Sequence, residues 1–332
     1  MDRQELSQLL MIGVPSGNDL SGVRRLQPGG VVLMGRNAGA RAEVRKLCRA
    51  IAGECMEAPL IATDQEGGRV QRLVQGFTTI PSMRELGRSG ANQVGIMAST
   101  VAAELRAVGV HVNFAPVCDV PTHAEDSVIG DRAFSDDAIV AGALAAEYIR
   151  GAQPSVMCVA KHFPGHGGVG VDSHHALPTV PEEADVRGTH LPPFRAAIAA
   201  GVGGMMVGHL VVPSLDPASI ESEIAGAVTT PATLSEPIVS GLLRGELRFR
   251  GVVFTDDLDM KALQDFEVEE IVTRAVQAGC DQLLWCHSID KAQQSLDALE
   301  RAVRDKVLAE ERVRDAIGRV KWAKRKFGVL ES

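Results

Sequence analysis

Three histidines, one lysine and one carboxylate fall within a single run, Lys161-His162-Phe163-Pro164-Gly165-His166-Gly167-Gly168-Val169-Gly170-Val171-Asp172-Ser173-His174. Pro164 and four glycines keep this run out of a helix. Asp172 and His174 are two apart, so an extended backbone turns both to one face. A carboxylate beside an imidazole fixes its tautomer and raises its proton affinity, which suits His174 to give and take a proton near neutral pH. A second element is Asp256-Asp257, directly after the apolar run 252–255. Adjacent carboxylates repel, so one is expected to face a pocket while the other is tied to arginine or backbone donors. A carboxylate at a strand tip is held rigidly, as a nucleophile attacking a carbon in line must be. The ordinary alternative, capping the next helix, fits Asp257 better than Asp256.

Other polar groups recur at comparable places. Asp64-Gln65-Glu66-Gly67-Gly68-Arg69-Val70-Gln71-Arg72 follows the apolar run 60–63, Gly130-Asp131-Arg132 lies after a fourth such run, and His209 ends a sixth. Any one alone reads as a salt bridge or a cap. Their recurrence at the same end of successive strands argues for one shared rim, with His209 expected to line the pocket without an assigned task.

The elements that position them are short Val-, Ile- and Met-rich runs at 9–14, 31–34, 60–63, 110–116, 156–160, 205–208, 252–255 and 282–286. They alternate with helix-like stretches at 40–52, 92–108, 138–151, 191–200, 231–244, 268–278 and 289–327. Runs buried on both faces and joined by helices indicate a parallel sheet, and about eight such units make a closed barrel. The expectation is an α/β chain folded as a single (β/α)8 TIM-type barrel over residues 1–332, with slight irregularity in the first strands. The stretches 65–84, 119–137, 165–186 and 211–230 read as unstructured, each after a strand, so that a barrel gathers them on one face.

Bulk composition narrows the class. The chain has 332 residues, 45% hydrophobic and 23% charged, with a formal net charge of -8. No long basic run is present, so neither nucleic acid nor an anionic membrane is an expected partner. Any bound anion must be met by a few local arginines and lysines. The polar amino terminus lacks a secretory pattern, and no stretch is long enough to span a bilayer. Six cysteines without a CxxC pair read as buried reduced thiols. A cytoplasmic enzyme, monomeric or weakly oligomeric, fits these features.

A metal site is the competing chemistry, since His162, His166, Asp172, His174 and His175 include ligand types for zinc. Lys161 would place a cation beside these ligands, and the Pro/Gly-rich backbone cannot supply helical HExxH spacing. A non-catalytic binding barrel leaves the separately placed Asp256 and Asp172–His174 elements without a purpose.

These motifs, in this order, resemble the family 3 glycoside hydrolases, and within them the single-domain β-N-acetylglucosaminidases of the NagZ type. The resemblance rests on Lys-His-Phe-Pro-Gly-His-Gly at 161–167, Asp-Ser-His at 172–174 and Asp-Gln-Glu-Gly-Gly-Arg-Val at 64–70. It also rests on Gly-Val-Val-Phe-Thr-Asp at 251–256, preceded by Leu242 and Arg244. It implies a retaining double displacement with Asp256 as nucleophile, His174 as general acid then base, and Asp172 orienting His174. It further implies that Asp64, Arg72, Arg132, Lys161 and His162 hold an N-acetylglucosamine unit, with no metal and no cofactor. The implied substrate is a small carbohydrate or muropeptide, such as a cell-wall fragment with N-acetylglucosamine on 1,6-anhydro-N-acetylmuramic acid, met in peptidoglycan recycling. A histidine acid/base adds no negative charge, so phosphorolysis stays open beside hydrolysis, as does a β-glucosidase activity. Asp131 stands where the family often has Glu, a change expected to leave Arg132 oriented.

The glycines at 165–170 suit a loop that opens and closes. His174 is expected to enter the site only on closure; a His174 placed identically in structures with and without sugar would refute this.

Overall fold

The computed structural model describes residues 1–122, 128–169 and 176–330. Eight parallel strands close into a barrel in chain order. They are β1 (Leu10–Gly13), β2 (Gly30–Leu33), β3 (Leu60–Thr63), β4 (Val112–Asn113), β5 (Met157–Phe163), β6 (Gly204–Val207), β7 (Val252–Asp257) and β8 (Gln282–Trp285). Closure is made where Leu10 of β1 pairs with Leu283 of β8. Helices Ser21–Leu26, Arg41–Glu54, Ala91–Val108, Ala138–Ala152, Leu191–Ala199, Pro237–Glu246, Val268–Ala278 and Ile289–Arg304 follow the strands in turn. This is the (β/α)8 barrel that the alternation predicts.

Side-chain alternation divides each strand between two cores. Met11, Val32, Leu60, Val112, Met157, Val159, Val252, Phe254 and Leu284 fill the barrel interior, where the rings of Phe114 and Phe254 meet edge to face at 5.6 Å. Neighbours of opposite parity, such as Leu10, Ile12, Val31, Ile61, Cys158 and Val253, pack outward against the helices. The last helix, Glu310–Lys326, sends Val320 and Ala323 into the interior core, together with Phe327 just beyond it. It therefore plugs the amino-terminal end of the barrel. There the wholly buried Lys324 ammonium donates to Gln8 Oε1 at 2.6 Å and to Glu57 Oε1 at 2.8 Å.

Several elements depart from expectation. The stretch 289–327 is two helices, broken after Arg304, with Lys306 at φ +61°. The helix expected over 231–244 begins only at Pro237, after a single tight turn at Ala232–Leu234. The fourth strand shrinks to two residues, although the Ala115 and Pro116 carbonyls beyond it still accept the N–H groups of Val159 and Lys161. Conversely, β5 continues through Lys161 and His162 to Phe163. Two stretches read as unstructured contain ribbons, Gln65–Gly67 with Val70–Gln71 and Ser219–Ser222 with Gly226–Thr229. The register is unbroken from β1 to β3, so the irregularity expected there is absent. It falls instead in β5, between Ala160 and Phe163, and in β7, between Phe254 and Asp257.

All six cysteines are free, five buried and Cys55 half-buried, and burial pushes the Cys48 thiol up to about 12. No helix among the described residues is long and apolar enough to cross a membrane.

Asp281 ties the helices to the sheet just before β8. Its buried carboxylate accepts from Arg244, from Arg312 at 2.8 Å, from Arg319 at 3.1 Å and from the Val253 backbone N–H at 2.9 Å. Asp281→Ala leaves three guanidinium groups facing one another around a void. It is expected to cost about 3 kcal/mol, read as a lowered urea midpoint, with Asp281→Asn losing less because one acceptor remains.

Candidate active site

The carboxyl ends of the strands open onto a cavity of about 190 Å³. The period of two that buries Met157 and Val159 inside the barrel brings Lys161 up as the next inward residue of β5. On β7 the same rule carries Val252 and Phe254 upward to Asp256. A lysine and an aspartate thus cap an otherwise apolar interior. Phe114, Met206 and Leu284 form the floor beneath them.

Lys161 sits at the centre of a buried charge network. Its ammonium lies 2.7 Å from Asp64 Oδ1 and 2.6 Å from Glu66 Oε1, and its side chain is 3% exposed. Arg132 grips Glu66 with two parallel bonds, Nε to Oε2 and Nη2 to Oε1, both 2.9 Å. Arg72 stands 3.5 Å from Asp64 Oδ2, while its buried Nε has no hydrogen-bond partner among the described residues. Burial disfavours each charge, but the opposite charges win. Asp64 and Glu66 hold the Lys161 ammonium above its ordinary value, and Lys161 and Arg132 hold Glu66 far below the usual carboxylate range. The local backbone makes this possible. Asp64 and Glu66 are two apart on either side of Gln65, whose side chain is clamped to the backbone of Leu73. The turn beyond needs Gly67 at φ +130°, where a Cβ would meet the Pro81 carbonyl oxygen at 2.4 Å.

A second buried carboxylate, Asp119, fixes the other wall. It accepts from His162 Nδ1 at 2.7 Å and from the backbone N–H groups of His162 and His166 at 3.2 and 2.7 Å. Burial opposes its ionisation, but His162 and His166 hold it below the ordinary aspartate value. With Nδ1 turned to Asp119, His162 presents its remaining nitrogen Nε2 to the cavity that it lines. His166 also lines the cavity, and neither of its buried ring nitrogens has a hydrogen-bond partner among the described residues. Burial and the neighbouring His162 lower its pKa. The Gly165–Val169 segment is packed rather than loose: a Cβ on Gly167 would lie 2.1 Å from the Val120 carbonyl oxygen.

Asp256 and Asp257 divide as adjacent carboxylates should. Asp256 faces the cavity, its Oδ1 accepting the Asp257 N–H at 2.8 Å. Burial raises its pKa, but His162, His209, that N–H and Lys161 together bring it below the ordinary value. Asp257 Oδ1 instead accepts the N–H groups of Cys286 at 3.0 Å and Asp259 at 3.1 Å, and burial lifts its pKa to about 6. Asp257 is therefore a brace between the tips of β7 and β8, not a cap; the next helix is capped by Glu267. His209 does not line the cavity as expected. It lies wholly buried behind it, bonded to Thr233 Oγ1 at 2.7 Å and to the Asp257 carbonyl at 3.1 Å.

The cavity brings together six of the residues singled out in the sequence: Asp64, Arg72, Arg132, Lys161, His162 and Asp256. His174 and Asp172 lie outside the described residues. Arg132 is oriented, as expected with Asp131 beside it: Glu66 holds it, while Asp131 points to Arg69 at 3.4 Å. Glu66 and Asp119 were not assigned as site residues. The i, i+2 spacing of Asp64 and Glu66 was a legible signal for the first; nothing local marks Asp119, which reaches His162 across 43 positions. Among the described residues, no three His, Cys, Asp or Glu side chains are grouped to hold a metal ion.

The description "Glycosyl hydrolase family 3 N terminal domain" matches residues 1–323. A Pseudomonas aeruginosa protein named beta-hexosaminidase is 38% identical over 290 residues, 84% of this chain and 81% of its own length. The structure of a family 3 β-N-acetylglucosaminidase from Paenibacillus sp. superposes with a TM-score of 0.93 at 37% identity. It covers 99% of this chain, which spans 63% of that longer one. A β-N-acetylhexosaminidase from Beutenbergia cavernae gives 0.88 at 30% identity, with 98% of each chain covered.

The depressed pKa of Glu66 makes a pH prediction. Its folded value lies below the unfolded one, so the stability it contributes is complete above about pH 4.3 and drains away as pH falls below that. Glu66→Gln is expected to be less stable at pH 7 and to lose less between pH 5 and 3. Urea midpoints across that range measure both slopes; parallel slopes would refute the assignment.

Proposed function

The chain belongs to glycosyl hydrolase family 3, and from that premise we propose that it is a retaining exo-β-N-acetylglucosaminidase. The observation that carries the reading is Asp256: a rigid, ionised carboxylate at the tip of β7, across a small cavity from the Lys161–Asp64–Glu66–Arg132 network. In the proposed mechanism Asp256 attacks the anomeric carbon and forms a glycosyl-enzyme ester. His174, oriented by Asp172, protonates the leaving oxygen and then takes the proton from the attacking water. Asp64 accepts sugar hydroxyl protons, while Arg72, Arg132, Lys161 and His162 supply donors to the hydroxyl oxygens.

A cavity of about 190 Å³ suits one terminal sugar unit rather than a polymer, and a chain with one Tyr and two Trp offers little platform for long glycans. These features support a short substrate. A fragment carrying N-acetylglucosamine on 1,6-anhydro-N-acetylmuramic acid, handled in the cytoplasm during peptidoglycan recycling, is the proposed natural one. The names of the relatives support the sugar, not the remainder of the fragment.

Turnover of an aryl β-N-acetylglucosaminide against the aryl β-glucoside, in phosphate-free buffer with chelator, tests the reading. The acetamido sugar is expected to be cleaved in preference, and Asp256→Ala to lose about 10⁴-fold or more of kcat. His174→Ala is expected to lose about 10²–10⁴-fold on an alkyl leaving group, and less on an activated aryl group that needs no proton. Turnover appearing only with added phosphate or metal would replace hydrolysis by phosphorolysis or a metal-dependent reaction.

A further inference from the structure

At the end of the barrel opposite the cavity, a groove of about 620 Å³ runs between the helix Glu310–Lys326 and the turns that lead into β6 and β7. On the helix Arg314, Gly318, Trp322 and Lys326 follow at intervals of four, which puts all four on one face. Gly318 leaves a notch in that row: a Cβ there would have no heavy atom within 4 Å. Across the groove stand Arg248 and Arg250, both exposed, with Arg248 at φ +56°, a backbone geometry that arginine rarely adopts. Arg319 completes five cations, and Asp315 is the one carboxylate among the lining residues. On a chain with a net charge of -8 this is a pronounced local reversal.

Arg319 is committed to the buried Asp281 at 3.1 Å, but the other four cations are loosely held. Arg314 reaches exposed Glu310 at 2.6 Å, a pairing worth little in water. Arg250 spends one terminal nitrogen on the Arg244 carbonyl at 2.8 Å and keeps its other nitrogens for another partner. Lys326 rests 4.8 Å above the ring of Trp322, which remains 41% exposed. The chain's other tryptophan, Trp285, is wholly buried. An exposed indole beside converging guanidinium groups is matched chemically by a planar ring that carries phosphates. The volume falls in the range of small-molecule sites and exceeds what a lone inorganic ion would fill.

We propose that this groove is a second ligand site, distinct from the barrel-mouth cavity, that takes a nucleoside diphosphate. The base stacks on Trp322, and the phosphates lie between Arg248, Arg250 and Arg314, drawing Lys326 off the indole. Nothing in the proposed glycosidase chemistry uses these residues, and they lie at the far end of the barrel from Asp256.

Titration of the full chain with ADP, followed by calorimetry and by tryptophan fluorescence, tests this. The expected result is one saturable site whose affinity falls with salt, with quenching of the exposed indole. Arg248→Ala combined with Arg250→Ala is expected to weaken binding at least about tenfold without changing aryl-glycoside turnover. Trp322→Ala is expected to bring ADP down to the affinity of inorganic phosphate. Three outcomes overturn the proposal: no saturable heat or quenching at millimolar ADP, binding unchanged in the double variant, or inorganic phosphate competing as well as ADP against the wild type.

Discussion

A lysine ammonium buried at the top of an apolar barrel is tolerable only if negative charge meets it, and the upper half of this molecule is organised around that need. Lys161 is inside because β5 alternates. Once inside, it draws Asp64 from the end of β3 and Glu66 from the ribbon that follows. Glu66 in turn requires Arg132 from the loop beyond β4. The network ties three consecutive strand ends together, and removal of one member strands the others in low dielectric. What it leaves toward the cavity is a mixed surface of donors and acceptors in fixed positions, which is how a polyhydroxylated ring is distinguished from an apolar one.

The two aspartates on β7 show how neighbouring carboxylates can be given unlike tasks by their surroundings. The Asp256 charge is favoured by surrounding cationic and imidazole groups, and it faces the cavity. Asp257 spends an oxygen on the backbone of β8 and is pushed up to about 6 by burial. The interruption of the β7–β8 register between Phe254 and Asp257 falls at the same place. The strand departs from regular pairing where it must present one side chain inward and bind its neighbour with the next.

The two ends of the barrel are built on different terms. The carboxyl end holds opposed charges, buried and mutually satisfied, around a small cavity. The amino-terminal end is stoppered by the last helix, whose inner face joins the hydrophobic interior and buries Lys324 against Gln8 and Glu57. The outer face of that helix carries exposed arginine, lysine and tryptophan. Only the inner face is needed to close the barrel.

Much of this was legible in the sequence. Apolar runs too short for helices, recurring between helix-length segments, indicate a parallel sheet covered on both faces, and about eight such units point to a closed barrel. The same periodicity put Asp256 at a strand tip, and the Lys161–His162 and Asp64 motifs marked the rim. Contacts between residues far apart in the chain could not be read this way. That Asp119 holds His162, that Glu66 orients Arg132, and that His209 lies behind the cavity rather than in it depend on which loops the closed barrel brings side by side. Local pattern reports which face a residue takes within its own element. Which opposite charge it meets there is decided by packing between elements, because a buried charge accepts whatever partner the closed tertiary structure places within about 3 Å.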